Sequence, residues 1–127
     1  VSYLADTHVL LWAVREPERV SSLARSVLED GSQVVYFSIA SIWEIAIKQS
    51  LGKLKLDATV REFVQAQIHN DFKLLPVDVE HIARTATLPL HHRDPFDRML
   101  IAQAEVEDLQ IITMDASFSQ YDVRCVW

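Results

Sequence analysis

The chain has 127 residues, half of them hydrophobic, with 12 Lys and Arg against 18 Asp and Glu and a formal net charge of −6. That length fits one domain, spanning residues 1–127, with enough chain to bury a real core, and only two glycines argue against disorder and against a turn-rich all-β fold. The acidic balance excludes a protein held to nucleic acid by bulk charge, though not a carboxylate cluster whose field a metal ion inverts, and the lone cysteine, Cys125, excludes an intrachain disulfide.

VSYLAD, residues 1–6, predicts a short buried strand closing at Asp6. It holds no basic leader, and VLLWAV after it is far too short to span a bilayer. With the single cysteine, this makes the cytoplasm the expected compartment, with no membrane partner. The chain opens on Val1 and not on Met, so at least one residue is expected before it. Thr7 to Val14 predicts a helix, broken at Pro17. Ser21 or Ser22 suits the cap of a helix running to about Asp30, with Gly31 as its stop. QVVYFS (33–38), β-branched and aromatic, predicts the second strand. IASIWEIAIKQSL (39–51) predicts a mostly apolar helix ending near Gly52. TVREFVQAQIHN (59–70) predicts a helix with Val60, Phe63, Val64 and Ile68 on its core side. KLLPV (73–77) is a strand candidate weakened by Pro76. A helix from Asp78 to Ala86 and the loop TLPLHHR follow. Pro95 to about Glu107 predicts a helix, LQIIT (109–113) a strand and YDVRCVW (121–127) a terminal strand. Strands alternating with helices predict an α/β fold, a parallel sheet with helices on both faces. In such sheets ligands bind outside the carboxyl ends of the strands.

Four acids fall at that edge. Asp6 ends the first strand, where it suits both a helix cap and a carboxylate aimed into the crevice. Glu44 is the one charge in IASIWEIAI. Ser41 and Glu44 match a capping box, and Lys48 lies at i+4 for an ion pair. Yet the helix around Glu44 is apolar nearly all round, and a buried carboxylate needs a partner or a metal. Asp115 follows QIITM, as a turn residue, a cap or a site residue. RDPFDR (93–98) places Asp94 as the cap, Pro95 at the first helical position and Asp97 at the third. Asp97 shares its face with Ile101 and Ala104, so it is expected to point inward. If the four converge, they repel one another unless a cation is held. An all-oxygen set suits Mg²⁺ or Mn²⁺, and the chemistry such ions favour is phosphodiester hydrolysis.

DTHVLLW (6–12), SIWEIAIK with GKL (41–54), DPFDRMLIAQA (94–104) and ITMD (112–115) resemble the motifs of PIN-domain proteins, above all the VapC-type toxins of bacterial toxin–antitoxin pairs. They occur in the family's order and spacing and cover essentially the whole chain. The resemblance implies a three-layer α/β/α sandwich with a central parallel sheet. It implies a Mg²⁺- or Mn²⁺-dependent endoribonuclease, usually a homodimer, acting on RNA and blocked by the tail of a cognate antitoxin. Its metal-binding and catalytic acids map to Asp6, Glu44, Asp97 and Asp115, the last being the position that varies in the family. Thr7 and Thr113 match its hydroxyl residues, which would orient a water at the metal.

Among the cations, Arg98 and Lys48 are expected to hold RNA phosphates, while Lys53 and Lys55 read as a solvated loop. His91 and His92 read as a solvated pair, with no zinc spacing. Trp12 and Trp43 are expected in the core or at a dimer contact, and Cys125 buried and inert. Two other readings compete. A receiver-like phosphoacceptor would need paired acids after the first strand and a lysine near the last, and this chain has neither. A catalytically inactive PIN-like binding module would keep the fold without binding metal.

Overall fold

The runs of β-branched and aromatic residues become strands, and the apolar-periodic runs between them helices, in a computed structural model describing residues 1–127. In chain order they are β1 (Ser2–Ala5), α1 (Thr7–Arg15), α2 (Ser22–Glu29), β2 (Val34–Ser38), α3 (Ile39–Ser50), α4 (Val60–His69), β3 (Lys73–Leu75), α5 (Val79–Thr85), α6 (Pro95–Glu107), β4 (Gln110–Ile112) and β5 (Cys125–Val126). Two short 3-10 turns, Pro17–Arg19 and Ala116–Gln120, lie between them. No helix is long and apolar enough to cross a membrane.

All five strands pair in parallel, in the order β3-β2-β1-β4-β5. The chain winds outward from β1 to β3, then crosses back to lay β4 and β5 on the other side. The winding therefore reverses between β1 and β4, and a crevice opens at such a switch point. Because side chains alternate along a strand, Leu4 and Ile111 pack against Leu100, Ile101 and Phe118 on one face. Ala5, Val35 and Ile112 meet Val9 and Ala24 on the other, and Phe37 meets Ile45 and Phe63. The result is the expected three-layer sandwich, with α5 and α6 on one side and α1 to α4 on the other. Each fully buried Leu or Ile, such as Leu4, Ile101 and Ile111, contributes roughly 1.5–3 kcal/mol relative to an exposed one.

Several local expectations change. Ser38, not Ser41, caps α3, its hydroxyl accepting from the Ala40 amide at 3.0 Å. Ser41 lies inside the helix, so the capping box does not form. On α4, Gln67 is buried and Ile68 is exposed. The stripe of Val60, Phe63 and Val64 centres on position 67, one residue before the isoleucine. β3 sits at the sheet edge and stops before Pro76, whose missing N–H could not continue the ladder. β5 is two residues long, and Tyr121, where the sequence predicts the longer strand to begin, sits in the core beside Phe118. Asp108, with a left-handed φ of 54°, ends α6 without a glycine and turns the chain into β4.

Candidate active site

Ala5 lies opposite Ile112, so the next residues along each strand leave the sheet edge side by side. The Thr113 hydroxyl donates to Asp6 Oδ2 at 2.5 Å and accepts from the Asp115 amide at 3.0 Å. Asp6 Oδ1 accepts from the Val9 amide at 2.9 Å, capping α1 as the sequence suggests. Burial raises the Asp6 pKa above the usual carboxylate value, against the lowering pull of the Thr113 hydroxyl and the Val9 amide.

Glu44 projects from the second turn of α3 and is 5% exposed. Lys48, one turn on, pairs with its Oε2 at 2.9 Å, the expected i+4 contact. Beside it, the buried Thr7 hydroxyl donates to Ser41 Oγ at 2.8 Å and ties the start of α1 to α3. Asp94 caps α6, accepting from the Phe96 amide at 2.8 Å and the Asp97 amide at 3.4 Å. Asp97 is half-buried one turn inside. Its pKa is raised to about 7, first by burial and then by the charges of Asp94, Glu44, Asp6 and Asp115. The other three expected acids, together with Asp94, are therefore close enough to act on Asp97. Asp115 opens the 3-10 turn, accepting from the Ser117 amide at 3.0 Å. Burial pushes its pKa up, but the Ser117 hydroxyl and amide and His92 outweigh that and leave it low. His92, Asp97 and Asp115 each bring a ligand atom within 4.8 Å of the others. The donor chemistry fits a hard divalent cation, because crowded carboxylates that otherwise retain protons are relieved by one.

A family model described as the PIN domain matches residues 3–124. The chain belongs to the PIN-domain family. No curated protein matches it in sequence. Among solved structures, it is similar to VapBC2 from Rickettsia felis, bound to a DNA fragment from its promoter, with a TM-score of 0.75 at 11% identity over 98% of this chain and 97% of that one. VapBC-5 from Mycobacterium tuberculosis, of the VapBC family of toxin–antitoxin systems, gives 0.61 at 20% identity over 98% and 96%. FitAcB from Neisseria gonorrhoeae gives 0.58 at 23% identity over 97% and 95%. At these identities the likeness speaks for the PIN fold. The family match leaves no ground for the receiver-like reading.

The rest of the PIN domain departs from expectation in places. The Arg98 guanidinium donates to the carbonyls of Thr85 and Pro89 at 2.8 and 2.9 Å, with longer contacts to Leu88 and His92. Those bonds pin the loop between α5 and α6 and occupy the side chain expected to meet phosphate. Lys48 does lie at the site, in a cleft of about 440 Å³ lined also by Arg93, Pro95 and Phe96. A larger cavity, of about 530 Å³, lies beside Asp108 and Arg124 and touches none of the four acids. Lys53 and Lys55 are exposed, as expected. Trp12 packs edge-on against Trp127, but Trp43 is 65% exposed and leans on Phe96, outside the core. Cys125 is half-buried, with its thiol pKa raised by burial and by the charges of Asp115 and Asp6, which keeps it unreactive. His91 is exposed, but the His92 side chain is only 10% exposed and is no solvated loop residue. Sequence reasoning also missed Ser38 and Gln103. The Ser38 hydroxyl donates to Gln103 Oε1 at 2.6 Å, and Gln103 Nε2 donates to the Pro76 carbonyl at 3.2 Å. Local periodicity holds no signal for such a pair.

Proposed function

We propose that this PIN domain is a Mg²⁺- or Mn²⁺-dependent endoribonuclease, the toxin of a VapBC-type pair, working in the cytoplasm as a homodimer and held in check by a cognate antitoxin. The observation that carries the nuclease reading is Asp97, a carboxyl group kept protonated up to about pH 7 among Asp94, Glu44, Asp6 and Asp115. Such crowding has little structural use and suits a cation site. The toxin reading draws on the VapBC neighbours, described as a family of toxin–antitoxin systems. Ile39 and Trp43 on α3 and Leu51 just past its end, four and eight residues apart, stay exposed, an apolar stripe suited to a protein partner.

Asp6, Glu44, Asp97 and Asp115 would hold the ion. Mg²⁺ or Mn²⁺ supplies Lewis acidity there, making water a better nucleophile and offsetting the charge that develops at phosphorus. The chain's own residues set the stage. Thr113 and the Val9 amide fix both oxygens of Asp6. Thr7, bonded to Ser41, holds α1 against α3. Asp94 fixes the first turn of α6 and so the height of Asp97. Lys48 and Arg93, lining the cleft beside the acids, would receive the phosphates of a single strand.

The test is RNA cleavage by the purified protein with Mg²⁺, with Mn²⁺ and with excess EDTA, for the native chain and for Asp97→Asn. We expect cleavage with either metal, none in EDTA and none from the variant. Persistent cleavage in EDTA would refute the metal reading. Absence of saturable Mn²⁺ binding by calorimetry would favour the inactive module instead. Expression of the chain alone should arrest growth, and normal growth despite abundant folded protein would remove the toxin role.

A further inference from the structure

The mechanism above leaves His92 unused, yet this side chain is built into the site. Its ring packs edge-on against Phe118 at 5.1 Å between centroids. The Tyr121 hydroxyl oxygen accepts from the amides of His92 and His91 at 2.8 and 3.1 Å. Both lone pairs are then taken, and the phenolic proton is directed to His92 Nδ1, 3.3 Å away. That assigns Nδ1 as an acceptor and places the imidazole proton on Nε2. Nε2 lies 2.9 Å from Ser117 Oγ, and the Ser117 hydroxyl donates to Asp115 Oδ1 at 2.5 Å. A directed chain thus runs from Tyr121 through His92 and Ser117 to one oxygen of Asp115. The second oxygen, Oδ2, has no donor in bonding range; His92 Nε2 lies 3.8 Å from it.

We infer that His92 is a positioning residue of this PIN domain, setting the rotation of the Asp115 carboxylate through Ser117. Oδ1 is tied down and Oδ2 is left open. Asp115 is otherwise a half-exposed side chain in a short turn, held only by the Ser117 amide at Oδ1. The inference rests on the metal-centre reading and deepens it: the acid that the resemblance leaves least certain has an orienting arm of its own. Partners of this kind fix ligand orientation, and their loss commonly weakens metal binding ten- to a hundredfold, by about that range.

The experiment compares His92→Phe, which keeps the ring's packing but removes both nitrogens, with Ser117→Ala, the double variant and His92→Gln. Mn²⁺ affinity is read by calorimetry, alongside kcat and KM on RNA and the melting temperature. We expect each single variant to weaken Mn²⁺ binding by about tenfold. The double variant should be no worse than either alone, because both cut one link. KM should hold while kcat falls, and His92→Gln, which keeps an amide donor, should recover part of the loss. Native Mn²⁺ affinity in His92→Phe and Ser117→Ala, or full additivity in the double variant, would overturn the inference. So would nitrogen hyperfine coupling in the electron paramagnetic resonance spectrum of the Mn²⁺-loaded protein, which would make His92 a ligand. Asp97→Asn serves as the control. If it alone loses Mn²⁺, the metal centre stands and the His92 arm falls; if it binds Mn²⁺ like the native chain, the metal-centre reading fails first.

Discussion

Asp94 and Asp97 show how two like side chains, three residues apart, come to different ends. Asp94 meets free amides at the helix start and does a cap's work. We expect Asp94→Ala to cost about 1 kcal/mol and to leave most cleavage intact, read by melting temperature and by an RNA assay with Mn²⁺. Asp97, one turn further in, has its folded-state pKa raised from 3.8 to about 7. The folded chain therefore holds a proton there that the unfolded chain has lost. Its stabilising share is fully present below about pH 4 and fades as the pH rises toward about 7. Asp97→Asn removes the charge and keeps the shape. Without metal it should raise the melting temperature more at pH 8 than at pH 5, while abolishing cleavage at both. An equal gain at the two pH values would mean the carboxyl is not crowded as the structure has it.

Arg98 belongs to its helix and loop more than to the substrate. Its guanidinium spans the carbonyls of Thr85 and Pro89, a fork that a lysine ammonium cannot reproduce. Both Arg98→Ala and Arg98→Lys should lower stability by roughly 1.5–3 kcal/mol and open residues 86–93 to proteolysis without any RNA present. A variant that keeps its melting temperature and loses only RNA affinity would restore Arg98 to the phosphates. α4 offers a contrast of faces. Phe63 is buried and Ile68 exposed, so Phe63→Ala should cost about 3–5 kcal/mol. Ile68→Gln should stay within about 0.5 kcal/mol of the native chain, both read by denaturant unfolding.

At the scale of the whole molecule, an acidic surface limits how RNA is held. With Lys48 and Arg93 at the cleft and about three phosphate contacts in all, log affinity should fall with log salt at a slope of about −2 for a single strand. A slope several times steeper would reveal a basic surface elsewhere. The alternation of strands and helices was legible in the sequence because each element carries its own period, as β2 and α6 do. The acids were legible because Asp6 and Asp115 follow apolar strands and so land on one edge. Ser41 against Thr7, Ser38 against Gln103 and His92 against Tyr121 were not. Each joins distant segments through one polar atom, and no local pattern encodes such a meeting. For Trp43 the sequence leaves the core and a dimer contact both open, because an aromatic on an apolar helix does not declare whether its neighbour is the core or another molecule; the structure places it outside the core. The bond from Thr113 to Asp6 crosses 107 positions of chain. During translation Asp6 emerges long before β4, and the strand that seats it arrives after Glu44 and Asp97 are already made. A chain made as far as the end of α6 thus has three of the four acids and no assembled centre. If the chain cuts RNA as proposed, that order withholds competence until β4 has been made.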